Sequence, residues 1–144
     1  MKIAIANDHS GVELKNEIKK YIEEKYHYEV INFGTDSTES VDYPEIALKV
    51  AESVSNGECD SGILICRTGV GMSIVANKVR GIRCALCYNE KIGKLCKEHN
   101  NANVIAIPAD MISFEEVICI IDNWISSNFL GGRHERRLNM IKDM

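Results

Sequence analysis

Short apolar runs alternate along the chain with stretches whose apolar residues recur at helical spacing. Lys2 to Ala6 reads as a strand. Gly11 to Lys25 reads as a helix, with Val12, Leu14, Ile18, Tyr21 and Ile22 near one stripe. Tyr28 to Phe33 is a second strand, and a polar loop, Gly34 to Asp42, follows it. Tyr43-Pro44 opens a helix to about Ser55, since a first helical turn tolerates the missing proline N–H. Gly62 to Cys66 is a third strand, apolar after its glycine, and Gly71 to Val79 is helical. Ile82 to Cys87 is a fourth strand, Glu90 to Glu98 a helix, and Asn103 to Ile107 a fifth strand. Ser113-Phe114-Glu115-Glu116 has the form of a capping box and starts a helix to about Ser127. Gly131-Gly132 breaks the pattern, and His134 to Asp143 reads as a final polar helix.

Strands alternate with helices, and the central strands are continuous apolar runs. That pattern belongs to a parallel sheet covered by helices on both faces. The sequence therefore predicts one doubly wound α/β domain over residues 1–144, with a C-terminal helical tail from about 132 to 144. A length of 144 residues suits one domain and is too short for two full-sized ones.

A net charge of −4 gives no bulk attraction to nucleic acid or to an anionic membrane surface, so neither is expected as a partner. The longest apolar runs, such as Ile63-Leu64-Ile65-Cys66, are far short of the roughly 20 residues of a transmembrane helix. The stretch Met1 to Ala6 is too short for a signal sequence and meets Asn7-Asp8-His9 at once, which predicts a cytoplasmic chain. Six cysteines do not make a disulfide scaffold in a chain with an apolar core of its own. Cys84-Ala85-Leu86-Cys87 has CxxC spacing, but no second pair follows, and in a strand those two thiols point to opposite faces. Cys59, Cys84, Cys87, Cys96 and Cys119 read as reduced, mostly packed thiols, and no metal site is expected.

In open parallel sheets, ligands bind beyond the carboxyl ends of the strands. Three element ends carry reactive groups: Asp8 and His9 after the first strand, Cys66 to Gly69 after the third, and His99-Asn100-Asn101 ahead of the fifth. A lone Asp or His there is usually a cap or turn residue; their joint placement makes a site of them. Cys66-Arg67-Thr68-Gly69-Val70-Gly71 leads from a buried strand into a helix, so its backbone N–H groups can face an anion. It is neither a dinucleotide fingerprint, because Ile74 stands at the third glycine's place, nor a P-loop, because no Gly-Lys-Ser/Thr follows. Cys66, beside Arg67 and a helix start, is placed where a thiolate is favoured and can serve as a general base. Arg133 and Arg137, four apart on a helix, share a face that suits a phosphate; the plain alternative is a solvated basic face.

These residues together resemble the type B ribose-5-phosphate isomerases and the related galactose-6-phosphate isomerase subunits. The markers are Asp8-His9-Ser10-Gly11 with Lys15, Asp42-Tyr43-Pro44, Cys66-x-Thr68-Gly69-x-Gly71, Ala76-Asn77-Lys78, His99-Asn100 with Ala102-Asn103, and Gly132-Arg133-His134 with Arg137. The resemblance spans nearly the whole chain. It implies a three-layer, Rossmann-like α/β/α fold with a five-stranded parallel sheet. It also implies a metal-free, cofactor-free aldose–ketose isomerase working as a homodimer or dimer of dimers with shared active sites. By position, Cys66 resembles the base that moves the proton between C1 and C2, and Thr68 and His99 the groups that assist ring opening. Asp8 resembles the carboxylate near the reacting oxygens. The backbone around Gly69, Val70 and Gly71 resembles the enediolate's anion site, with Asn100 a further substrate contact. His9, Arg133 and Arg137 resemble the phosphate grip, the arginines coming from the partner subunit.

The chain departs from that pattern twice. Arg67 stands where the family usually has glycine, and Asp110 where it often has a phosphate-holding arginine. Arg67 could take over the charge lost at Asp110, as a substrate contact. The resemblance thus implies interconversion of ribose 5-phosphate and ribulose 5-phosphate through an enediolate. The alternatives are an isomerase for another sugar phosphate (allose, galactose or tetrose phosphate) and a non-catalytic sugar-phosphate-binding protein.

Overall fold

The computed structural model describes residues 1–144, and its strands and helices alternate as the hydrophobic pattern predicts. The strands are β1 (Lys2–Asn7), β2 (Glu29–Asn32), β3 (Ser61–Cys66), β4 (Cys84–Leu86) and β5 (Val104–Pro108). They form one sheet in the order β2-β1-β3-β5-β4, with every pair parallel. The helices are α1 (Val12–Tyr26), α2 (Tyr43–Ser55), α3 (Val70–Ala76), α4 (Glu90–Asn100), α5 (Phe114–Ser126) and α6 (Arg133–Ile141).

The two faces of the sheet follow from the period-two alternation of its strands. Ile3, Ile5, Ile63, Ile65, Ile105 and Ile107 point to one face and pack on Ile18 and Ile22 of α1, Cys96 of α4 and Ile120 and Trp124 of α5. Their neighbours Ala4, Ala6, Leu64, Cys66, Val104 and Ala106 point to the other face, against Ala47, Val50 and Ala51 of α2 and Met72 of α3. The result is three layers. Cys84 and Cys87 do go to different faces, Cys84 packing on the α2–α3 side and Cys87 within the α1–α4–α5 side.

Several boundaries differ from the sequence reading. α1 is preceded by a single 3-10 turn, His9–Gly11, capped by Asp8. α3 stops at Ala76 rather than Val79, and β4 begins at Cys84 rather than Ile82. One side chain accounts for both: the Asn77 amide donates to the Cys84 carbonyl at 3.0 Å and accepts from its N–H at 2.8 Å. That amide takes the place of a strand partner at the sheet edge, so the chain must leave the helix there. α6 begins one residue earlier than expected and buries none of its residues. Cys119, expected among the packed thiols, is exposed.

Candidate active site

The strand order changes direction between β1 and β3, because β2 lies outside β1 while β5 and β4 lie beyond β3. Such a switch point opens a crevice at the carboxyl ends of the two strands. Asp8 and Cys66 stand on either side of it, and the Asp8 N–H donates to the Ile65 carbonyl at 3.0 Å. The Asp8 carboxylate accepts from the Ser10 N–H at 2.9 Å and from the Ser10 hydroxyl at 2.5 Å, so its position is fixed. His9 follows in the same turn, and its Nδ1 is buried with no protein partner.

The Cys66 thiol is buried and accepts the Gly69 N–H at 3.2 Å. The Thr68 hydroxyl accepts the Val70 N–H at 3.3 Å. Two of the three backbone donors expected to face an anion are thus already held by side chains of their own loop. Gly69 has φ 74°, a left-handed conformation that an L side chain resists, and a Cβ there would lie 2.5 Å from Leu86 Cδ1. At Gly71 a Cβ would meet the Tyr43 ring at 2.6 Å, so that ring packs closely against the backbone of the loop.

Arg67 does not turn to the Cys66 sulfur. It is exposed, and its Nε lies 3.5 Å from the Asp110 carboxylate. The backbone reinforces the pairing, since the Asp110 N–H donates to the Arg67 carbonyl at 3.1 Å. The two departures from the family pattern are therefore partners of each other.

His99 and Asn100 are not beside Cys66 within one chain, and the expectation that all three element ends converge is corrected here. α4 returns from the carboxyl end of β4, so its last turn lies at the amino edge of the sheet. There the Gly62 N–H, at the start of β3, donates to the Asn103 carbonyl, and the Asn103 N–H donates to the Arg83 carbonyl just ahead of β4. The Leu130 N–H donates to the Glu98 carbonyl at 3.0 Å and brings the start of α6 to the same place. His99 and His134 stack there, with ring centroids 4.2 Å apart and planes 11° from parallel. Partial loss of hydration first, then His99, Arg133 and Arg137, hold the His134 imidazole below its usual pKa. Asp8, His9, Cys66, Thr68 and Gly69–Gly71 thus form one group at the carboxyl edge. His99, Asn100, Arg133 and Arg137 form a second at the amino edge.

The sequence reading gave no role to several residues that build these groups. Lys15 is fully buried, and its ammonium donates to the Thr35 carbonyl at 2.8 Å and to the Asp36 carboxylate. Lys15 holds the Asp36 carboxyl below the usual range. Asn7, also buried, donates to Thr35 and to Asp8 and so ties the second loop to the first. The signal was present: Lys15 lies on the same stripe as Ile18 and Ile22, where a lysine must find a partner. The Tyr88 hydroxyl reaches the Thr68 carbonyl at 3.4 Å. No three His, Cys, Asp or Glu side chains converge to hold a metal ion, and no helix is long and apolar enough to cross a membrane. Burial pushes the Cys84 thiol up to about 12, which leaves it far from a reactive thiolate.

Comparison with known proteins gives one consistent result. The family model for ribose/galactose isomerases matches residues 3–141. The chain is 44% identical over 140 residues to ribose-5-phosphate isomerase B of Escherichia coli, covering 97% of this chain and 93% of that protein. The structure of Clostridium thermocellum ribose-5-phosphate isomerase B superimposes with a TM-score of 0.96 at 49% identity, over 99% of this chain and 96% of that one. The Mycoplasma genitalium ribose-5-phosphate isomerase B, solved with bound ribulose-5-phosphate, superimposes with a TM-score of 0.94 at 40% identity, over 99% and 94% of the two chains. With nearly every residue matched in sequence and in fold, the chain belongs to the ribose/galactose isomerase family.

Proposed function

We propose that the protein is an aldose–ketose isomerase that interconverts ribose 5-phosphate and ribulose 5-phosphate, its whole length acting as one domain. The observation that carries this reading is a buried thiol, Cys66, ending the strand beside the switch point. A fixed carboxylate, Asp8, follows the neighbouring strand β1, its N–H bonded to Ile65 next to Cys66, in a chain that matches a ribulose-5-phosphate-bound relative over 99% of its length.

Isomerisation needs four things, and the residues supply each. The furanose must open, which takes a proton from the anomeric hydroxyl and gives one to the ring oxygen. His99 and Thr68 carry these transfers. A base must then take the C2 proton and return it to C1 while the C2 hydroxyl proton passes to the C1 oxygen, and Cys66 carries the carbon-bound proton as thiolate and then thiol. Negative charge on the enediolate oxygens is met by backbone N–H groups of Gly69, Val70 and Gly71, the first two turning to it from the Cys66 sulfur and the Thr68 hydroxyl that hold them in the free protein. Asp8 holds the sugar near the reacting oxygens. The phosphate, remote from the reacting carbons, is gripped by His9, Arg133 and Arg137, and its binding energy orients the sugar, with Asn100 a further contact.

Such a site needs a second copy of the chain, because its two groups stand at opposite edges of the sheet. A homodimer, or a dimer of dimers, brings the amino-edge group of one protomer to the carboxyl-edge group of its partner. The exposed Leu130, Met140 and Ile141 flanking and ending α6, a helix with no buried residue, support this assembly. Six cysteines without a disulfide fit the reducing cytoplasm.

The Arg67–Asp110 pair favours a second reading, in which another aldose phosphate is the better substrate. Arg67 is held through Nε, which leaves its terminal N–H groups for an anionic ligand. The deciding experiment is turnover of ribose, allose, galactose and tetrose phosphates by the purified protein. Highest kcat/KM for ribose 5-phosphate supports the proposal. Preference for another sugar overturns the substrate assignment, and binding without proton exchange at C2 overturns catalysis.

A further inference from the structure

We propose that His134 is a positioning residue for the reaction: its imidazole, stacked on His99, fixes the plane in which His99 meets the sugar ring. The inference rests on the reading of His99 as a ring-opening group. Its basis is the near-parallel stack, 4.2 Å between centroids and 11° between planes.

His99 lies in the last turn of α4, where helix order frays and a side chain is least constrained by its own element. Neither imidazole donates to or accepts from another side chain of its own protomer; the ring of His134 is what lies against His99. The backbone delivers that ring. The Leu130 N–H is fastened to the Glu98 carbonyl at 3.0 Å, one residue from His99. Gly131 and Gly132, with φ of 68° and 58°, then turn the chain sharply into α6, and the His134 N–H closes the turn on the Gly131 carbonyl at 3.1 Å. α6 buries none of its own residues, so it does not serve the core of its own protomer. Partial loss of hydration, His99 and the flanking Arg133 and Arg137 all disfavour a charge on His134. A neutral ring stacks on a neighbouring imidazole without the repulsion of two cations. Proton transfer to and from sugar oxygens depends on angle as much as on distance, and a catalytic group displaced by about 1 Å can lose on the order of 100-fold in rate.

The test compares His134→Phe, His134→Leu and His134→Ala in the full-length protein, with His99→Asn alongside. Phe keeps the flat face and removes both nitrogens; Leu keeps bulk without a flat face. The expected result is a kcat lower by roughly 10–100-fold in the Leu and Ala proteins, with KM within a few-fold, while the Phe protein keeps most of its turnover. The His99 ring resonances should move in the Leu and Ala proteins and stay shifted by ring current in the Phe protein. A Phe protein as slow as Ala would mean that the imidazole nitrogens act chemically, and the positioning role would fall. Normal turnover in His134→Ala together with a slow His99→Asn would overturn the positioning role alone. A fully active His99→Asn would overturn the reading of His99 itself, and with it this inference.

Discussion

Cys66 ends β3 at the carboxyl edge of the sheet, while His99 lies in the last turn of α4 at the amino edge of the same sheet. Both are assigned to one reaction, yet one chain cannot bring them together. Mixing experiments read this relationship directly. Cys66→Ala and Arg137→Ala proteins should each be inactive alone. After subunit exchange, their mixture should recover about one quarter of wild-type activity, because half the dimers are hybrids with one intact site of two. His99→Asn should complement Cys66→Ala in the same way and should not complement Arg137→Ala, since His99 and Arg137 come from one protomer. Recovery in the His99→Asn and Arg137→Ala mixture would contradict this division.

Arg67 and Asp110 give a prediction about substrate. If the terminal N–H groups of Arg67 reach an anionic part of the sugar, Arg67→Gly should raise KM by roughly 10–100-fold, the scale of one charge-assisted hydrogen bond. The double substitution Arg67→Gly with Asp110→Arg should recover much of that loss and favour ribose 5-phosphate. Steady-state kinetics on several sugar phosphates check both. An unchanged KM in Arg67→Gly would leave Arg67 as a surface partner of Asp110 and nothing more.

Asp122 gives a prediction about stability and pH. It joins α5 to α1, accepting the Tyr26 hydroxyl at 2.6 Å and the Tyr21 hydroxyl at 2.7 Å, with the Lys25 ammonium at 3.1 Å. Burial works to raise its pKa, but the hydrogen bonds from Tyr26, Tyr21 and Lys25 outweigh it and hold the carboxyl below the usual range. A carboxylate depressed on folding adds stability above its unfolded pKa, and that contribution is lost as pH falls through the folded value. Asp122→Asn should therefore cost about 1–3 kcal/mol at neutral pH, with the gap to wild type closing below roughly pH 4. Urea unfolding of both proteins across that range measures it, and a gap independent of pH would contradict the assignment.

Much of the architecture is legible in the sequence because the signals are local. The alternation of isoleucine and alanine in Ile3-Ala4-Ile5-Ala6 already separates the two faces, and Ser113 announces α5 through its own cap, accepting the Glu116 N–H at 3.2 Å. The ends of α3 and β4 were not legible, because they depend on a contact between Asn77 and Cys84 across a turn. The carboxyl-edge group was legible, since Asp8 and Cys66 directly follow or end strands. The position of His99 was misread for a topological reason. It precedes β5 in the chain, so in a parallel sheet it must lie at the opposite edge from residues that follow strands. Its stack with His134 is 35 residues away in sequence and left no periodic trace.

The central claim is that Cys66 carries the proton between C1 and C2 of ribose 5-phosphate. Its most direct test is the turnover number of Cys66→Ala, with Cys59→Ala as the control for loss of a buried thiol. The account predicts a fall in kcat on the order of 10²–10⁴, the share that one acid–base group supplies, with substrate affinity within a few-fold and the control nearly silent. Near-normal kcat in Cys66→Ala would contradict it.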